Sequence, residues 1–285
     1  MVYLNKKLFD AVESGNIKVV EKLIKKGADI NLEYERTTLL TMALGNGYIE
    51  IAKLLIKNGA KDLNTNFLFS AYKGYDEIIQ LLIEKGVYIN EKDKSGFTAL
   101  MAAAKNNHIE TVKLLIEKGA DINAKDICDC TALVFAAENG CIQTVKLLIE
   151  KGAVINPEDK FSISPLIKAA CYGHTEIIEV LIKNGAKNLS KALRFAAENG
   201  HIESVKLLIN AGADIHKAET DNILPATVYN GHTEIVKLLL EKGVDVNFKD
   251  YSGKTALDYA KERHRNNSEL IQILTNATNK KQHKI

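Results

Sequence analysis

The sequence predicts an all-α repeat protein, a row of helical hairpins stacked in chain order, and three observations carry that prediction. One phrase, typified by Val-Lys-Leu-Leu-Ile-Glu-Lys-Gly-Ala-Asp-Ile-Asn at 112–123, is written eight times, with its glycine at 27, 59, 86, 119, 152, 185, 212 and 243. The intervals between those glycines are 32, 27, 33, 33, 33, 27 and 31 residues, and self-similarity at such a period marks a repeat architecture. Within a copy, Ile142, Val145, Leu148 and Ile149 recur at three- and four-residue steps, which is one stripe of a helix.

The helix preceding each stripe has its own signature. Thr98-Ala99-Leu100 through Ala104, Thr131-Ala132-Leu133 through Ala137, Ser164-Pro165-Leu166 through Ala170 and Thr255-Ala256-Leu257 through Ala260 each open on a hydroxyl residue. That residue stands where an N-cap meets free amide hydrogens. A small pair such as Ala136-Ala137 lets the second helix pack close, and Gly152 suits the left-handed residue that ends it. Pro165 falls at a first helical position, Pro225 in a first turn and Pro157 in a connection, so none interrupts a helix. One hairpin cannot bury its apolar faces alone, so neighbours stack. Nine hairpins are expected, forming a single domain over 1–278 with polar caps at 1–31 and 247–278 and a disordered basic tail at 279–285.

These phrases resemble the ankyrin repeat, whose pattern runs Thr-Pro-Leu-His-x-Ala-Ala-x-x-Gly-His, an apolar helix, Gly-Ala-Asp-x-Asn and a turn. The resemblance covers about Leu4 to Thr278. It implies an all-α ankyrin solenoid whose turns project as β-hairpin fingers. Two units depart from it: Gly59 to Asn64 and Gly185 to Ser190 run almost straight into the next helix, which leaves two fingerless repeats. These lie 126 residues apart, as if a four-unit block had been duplicated. Asp129 and Ser162 stand where glycine normally closes a finger; Asp tolerates a positive φ, Ser less so, and a distorted 158–163 finger is expected. The repeat around Asn222-Ile223-Leu224-Pro225 is the most divergent.

Composition narrows the function classes. The 285 residues carry a net charge of +2 with 26% charged residues and no tryptophan. Lys113, Glu117 and Lys118, like Lys237, Glu241 and Lys242, alternate in sign, as a solvated face does and a nucleic-acid patch does not. No apolar run approaches the roughly 18 residues of a membrane span, and the start enters the first hairpin without a signal segment. A cytoplasmic or otherwise intracellular setting is expected. Cys128-Asp129-Cys130 lacks the second half of a metal clip, and Cys141 and Cys171 lie elsewhere, so reduced, non-ligating thiols are expected. Cys141 replaces the histidine of Gly-His. His108, His174, His201 and His232 recur at equivalent positions after the interhelical turn, where the resemblance makes them structural. No nucleophile elbow, phosphate loop or zinc-helix motif occurs. No enzymatic activity, no cofactor, no metal and no small-molecule substrate are therefore expected.

What remains is recognition. The resemblance implies that partners bind the concave side made of finger tips and inner helices. Its variable positions fall here on Lys94, Phe97 and Lys105, on Ile127, Cys130 and Glu138, and on Lys160, Phe161, Ile163 and Tyr172. Phe97, Ile127, Phe161, Ile163 and Tyr172 are large apolar or aromatic groups at places expected to be exposed; they either anchor a partner or pack finger against finger. The expected function is a protein-protein interaction module, an inhibitor or adaptor that binds an intracellular protein through a site at 92–172 bounded by the fingerless repeats. The alternative is a self-assembling scaffold without a heterologous partner. A monomer that binds neither nucleic acid nor membrane is expected.

Overall fold

Residues 2–34, 37–157, 163–216 and 223–282 are described by a computed structural model. Among them are eighteen helices in nine consecutive pairs, as the glycine spacing predicts. They group into two compact units, residues 1–132 and 133–285.

The first unit contains α1 (Val2–Glu13), α2 (Ile17–Lys25), α3 (Leu39–Gly45), α4 (Ile49–Lys57), α5 (Leu63–Lys73), α6 (Asp76–Glu84), α7 (Ala99–Lys105) and α8 (Ile109–Glu117). The inner helices α1, α3, α5 and α7 pack in that order, and the outer helices α2, α4, α6 and α8 form a second row. The second unit opens with α9 (Ala132–Glu138), which begins at the last residue of the first, and α10 (Ile142–Glu150). It continues with α11 (Pro165–Cys171), α12 (Thr175–Lys183), α13 (Leu189–Glu198), α14 (Ile202–Asn210), α15 (Ile223–Tyr229), α16 (Thr233–Glu241), α17 (Ala256–Arg263) and α18 (Ser268–Gln282). Its core is built from the predicted stripes: Val145, Leu148, Ala136 and Ala137 are fully buried.

Caps fall where the hydroxyl residues predict. Thr98 accepts the Met101 amide, Ser164 that of Ile167 with Pro165 at the first position, and Thr255 forms a reciprocal capping box with Asp258. Pro225 sits buried in the first turn of a regular α15, where its missing N–H has no intrahelical partner to lose. Helix α18 runs through Gln282, so 279–282 are helical where composition predicts a disordered tail; 283–285 lie outside the described residues.

The fingers differ from expectation. Among the described residues one two-stranded ladder occurs, β1 (Glu33–Tyr34) with β2 (Thr37–Thr38). The later fingers are closed by a side chain instead. The Asp93 amide donates to the Phe97 carbonyl, and the Asp93 carboxylate accepts the Ser95 and Phe97 amides at 2.8 and 2.9 Å. Asp126 and Asp250 repeat the device, an Asx turn that leaves no length for a ladder. Asp129 holds φ +62° where Gly96 and Gly253 hold +78° and +74°, so the 126–130 turn is ordinary and not distorted; Ser162 and residues 158–162 lie outside the described residues. The connections of the two 27-residue intervals are short: five residues separate α4 from α5 and α12 from α13, each ending on a left-handed residue, Asp62 or Asn188.

Two devices recur at junctions between successive hairpins within each unit. Asn31, Asn90 and Asn156 each donate to the carbonyl of the next glycine, at 59, 119 and 185, and accept an amide two residues beyond it. The second device is the imidazole after the interhelical turn. Nε2 of His108, His174, His201 and His232 lies 2.9 to 3.1 Å from the carbonyl of Tyr72, Glu138, Cys171 and Glu198. A carbonyl only accepts, so Nε2 carries the proton. Each ring covers the preceding turn's left-handed glycine, where a Cβ would stand within 3 Å of it. His264 does the same for the Tyr229 carbonyl, and Tyr48 lies over Gly15.

The glycine lock gives a graded expectation. Gly152→Ala meets nothing within 4 Å and incurs only left-handed strain of about 1–2 kcal/mol. Gly173→Ala adds a collision with the His201 ring and lowers the urea midpoint further. Combining Gly173→Ala with His201→Ala should recover part of the loss, a coupling of about 0.5–3 kcal/mol; strict additivity would refute the lock.

Candidate protein-binding surface

In the first unit the expected site residues lie on two fingers and one helix end. Lys94 is exposed at the tip of the 93–97 finger, and Phe97 at its base is half-buried. Lys105 is exposed at the end of α7. Ile127 is the clear apolar outlier, 70% exposed at the next tip. Cys130 departs from expectation. It is 7% exposed at the base of the finger, where its amide donates to the Asp126 carboxylate at 2.8 Å. The two fingers touch through backbone: the Ile127 amide donates to the Ser95 carbonyl at 3.0 Å, and Lys92 Nζ donates to the Lys125 carbonyl at 2.8 Å. A Cβ on Gly96 would meet Asp126 Cα at 3.0 Å, so only glycine allows this approach.

In the second unit Glu138 is half-buried at the end of α9 and pairs with Lys168 of α11 at 2.6 Å. Tyr172 is 52% exposed with its ring stacked over that of His174, 6.3 Å between centroids. Ile163 is half-buried. Lys160 and Phe161 lie outside the described residues.

The register that places Lys105 and Glu138 two residues before the left-handed turn residue also holds Tyr72, Cys171, Glu198 and Tyr229. Applying it to every repeat, and not to the middle ones alone, finds the side chains that sequence reasoning passed over. Tyr72 and Tyr229 are exposed aromatics. Lys73 Nζ stands 5.7 and 5.8 Å from the ring centroids of Phe69 and Tyr72. The Arg263 guanidinium stacks on Tyr229 at 3.7 Å, and Tyr229 meets Tyr259 edge to face. The Tyr259 hydroxyl donates to Asp250 at 2.5 Å, which holds that carboxyl below its ordinary range.

Outer helices look different. Lys53 bonds Glu50 and Glu77, Lys113 bonds Glu110, Lys206 bonds Glu203, and Lys237 bonds Glu234 and Glu269. This is the neutralised, solvated face that the alternating signs predict, and such exposed pairs contribute little to stability. No three His, Cys, Asp or Glu side chains converge among the described residues, and burial pushes the Cys171 thiol up, against thiolate chemistry. No helix among the described residues is long and apolar enough to cross a membrane.

Glu198 combines burial with charge. Desolvation raises its carboxyl above the ordinary value, only partly opposed by Arg194, whose Nε lies 3.7 Å away. An acid whose folded pKa is raised binds its proton more readily when folded. Its contribution to stability therefore grows as pH falls through the raised value towards the ordinary one of about 4.3. Glu198→Gln should raise the urea midpoint at pH 7 and flatten the pH dependence in that window; an unchanged slope would show that solvent reaches the carboxylate.

Comparison with known proteins agrees with this geometry. The family model described as ankyrin repeats (3 copies) matches residues 8–93, 61–126, 100–192, 133–219 and 193–284. The chain is 32% identical over 110 residues to the ankyrin repeat and KH domain-containing protein mask-1 of Caenorhabditis elegans, 36% of this chain and 4% of that protein. It is 31% identical over 111 residues to a transient receptor potential cation channel subfamily A member 1 homolog of the same species, 36% of this chain and 9% of the channel. The matched segments thus span under a tenth of either relative. The crystal structure of the human ASB11 ankyrin repeat domain superposes with a TM-score of 0.67 at 27% identity, covering 74% of this chain and 96% of that domain. With matched copies running almost end to end, left-handed glycines under the rings of the following hairpins and paired helices throughout, the chain belongs to the ankyrin repeat family.

Proposed function

We propose that this chain is a protein-binding module that holds an intracellular partner through finger tips and the C-terminal ends of inner helices, acting as an inhibitor or adaptor. Ankyrin repeats are generally protein-protein interaction modules on a non-catalytic scaffold, and the distribution of exposed apolar groups supports that use here. Tyr34, Ile127 and Tyr251 sit on fingers and Tyr72, Tyr172 and Tyr229 at inner-helix ends; the other exposed large apolar residues in the described set are Val2 and Tyr3 at the start of α1, Val19 on α2, and Tyr88 and Val154 in connections after outer helices. Aromatic groups that present large area at small entropic cost are the usual anchors of a protein interface. Lys94, Lys105 and Glu138 set the charge that a partner must match. In the first unit Phe97 and Ile127 supply the apolar contacts, and in the second Ile163 and Tyr172 do so; Lys160 and Phe161 complete the proposed set.

The test is capture from cell lysate by the natural chain and by two variants, Phe97→Glu with Ile127→Glu and Tyr172→Glu with Tyr229→Glu, each shown to keep its helical content. Loss of an anchor is expected to weaken a specific partner by 2 kcal/mol or more, about 30-fold. If both variants retain every partner of the natural chain, the inner-face reading fails.

A further inference from the structure

We propose that Asn46 is a site of spontaneous covalent modification, where the chain exchanges ammonia for water and gains a carboxylate in the turn between α3 and α4. The sequence contains six Asn-Gly steps, with asparagine at 46, 58, 139, 184, 199 and 230. Each sets a carboxamide beside the backbone amide of a residue with no side chain to shield it, the arrangement that closes a succinimide ring. All six asparagines are exposed, so access to water does not separate them.

Their hydrogen bonds do. Nδ2 of Asn58, Asn139, Asn184 and Asn199 donates to the carbonyl of Leu54, Phe135, Val180 and Phe195 at 2.8 to 2.9 Å, and that of Asn230 donates to Glu198 at 2.9 Å. These five carboxamides must break a bond before turning on the glycine amide that follows. Among the described residues the Asn46 carboxamide makes no such bond. Its backbone is also the least confined. Gly45 precedes it, where the other five follow Lys57, Glu138, Lys183, Glu198 and Tyr229. A Cβ on Gly45 would meet nothing within 4 Å, and Gly45 closes a helix of only seven residues, an end that glycine holds less firmly than other residues do. The attacking amide does not rank the sites. Gly47 donates to the Leu44 carbonyl at 3.1 Å, as Gly200 does to Ala197 at 3.3 Å and Gly231 to Val228 at 2.9 Å. Asn46 sits at ψ −3°, so the ring closes when this turn opens and the Gly47 amide leaves Leu44.

The chemistry needs only water. Hydroxide takes the proton of the Gly47 amide, and the nitrogen attacks Cγ of Asn46. The N–Cγ bond forms, the Cγ–Nδ2 bond breaks, and Nδ2 leaves as ammonia with a proton from water. A second water opens the cyclic imide at either carbonyl, leaving an aspartyl link or an isoaspartyl link whose backbone runs through Cγ. Both products place a carboxylate at the C-terminal end of α3, where the helix already carries partial negative charge. The isoaspartyl link also lengthens by one methylene a turn on which both neighbouring hairpins depend. The Tyr48 ring just beyond it lies over Gly15 of the first hairpin, and the Tyr75 hydroxyl of the third donates to the Leu44 carbonyl at 3.3 Å.

The test incubates the full folded chain at mildly alkaline pH and follows the six Asn-Gly peptides by mass spectrometry after digestion. Isoaspartyl content is read by methyl transfer from S-adenosylmethionine with an isoaspartyl methyltransferase. Asn46 is expected to convert first, about fivefold or more ahead of each other site, the factor that one net hydrogen bond supplies, and to give an isoaspartyl product. Gly45→Ala, which the open space at that position accepts, is expected to slow Asn46 by about twofold or more and to leave the other five rates unchanged. In urea, where no carboxamide is held, the six rates are expected to converge. The converted chain is expected to show a lower urea midpoint, while Asn46→Ala incubated alike keeps its own. Conversion of any other site as fast as Asn46, or a product without isoaspartate, would overturn the proposal. So would an Asn46 lead that persists undiminished in urea, because local sequence and not the fold would then set it.

Discussion

The constraint on which the structure depends is that a hairpin of one seven-residue and one nine-residue helix cannot stand alone. Helices of that length are marginal in water, and their apolar residues face both ways along the row. Leu166, Ala169 and Ala170 of α11, for example, vanish from solvent only with α12 and α13 in place. Stability is therefore a property of the junctions, and the polar junction devices are as regular as the apolar ones. The asparagine bond pair joins Asn90 to Gly119 and Asp121 and joins Asn156 to Gly185 and Lys187. The protonated Nε2 on a preceding carbonyl recurs from His108 to His264. Even where a finger is missing, Asn31 holds Gly59 and Lys61 in the same way, so a repeat can shed its finger without loosening its seat.

The conserved frame leaves the chemistry to few positions. Lys53, Lys113, Lys206 and Lys237 of the outer helices sit in local pairs, whereas inner-helix ends vary from Tyr72 to Lys105, Glu138, Cys171, Glu198 and Tyr229 at one geometrical place. A fixed backbone that presents different side chains at one recurring spot suits recognition.

Most of the fold is legible in the sequence because it is set by intervals. Glycine spacing fixes the length of each repeat, hydroxyl residues fix helix starts, and a 27-residue interval leaves no room for a finger. What was not legible depends on how side chains meet turns. Asp93, Asp126 and Asp250 close the fingers with a carboxylate, a device that reads in sequence as one more surface charge. Asp129 and Asn107 take left-handed places usually held by glycine, which Asp and Asn tolerate because their short polar side chains bond locally. Cys130 reads as a finger-tip residue yet lies buried at the finger's base, its amide bonded to the Asp126 carboxylate. The helical extension of α18 through Gln282 escaped because a polar, charged composition at a chain end says little about backbone pairing. The site was half legible: Ile127, Tyr172 and Lys94 are exposed where expected, while the aromatics on α5, α15 and α17 lay in repeats that had seemed peripheral.

Because each imidazole and the glycine beneath it belong to different hairpins, the repeat boundary is also the unit of inheritance. Unequal crossing-over that removes or copies one whole interval returns a ring to a glycine and an asparagine to its carbonyl where the joined copies carry both devices; the copies with Cys141 and with His216 each lack one of them. An exchange out of phase breaks both at once. The array can thus lengthen or shorten in whole repeats while keeping its junctions in register, and the 126-residue spacing of the two fingerless repeats is a whole number of such intervals.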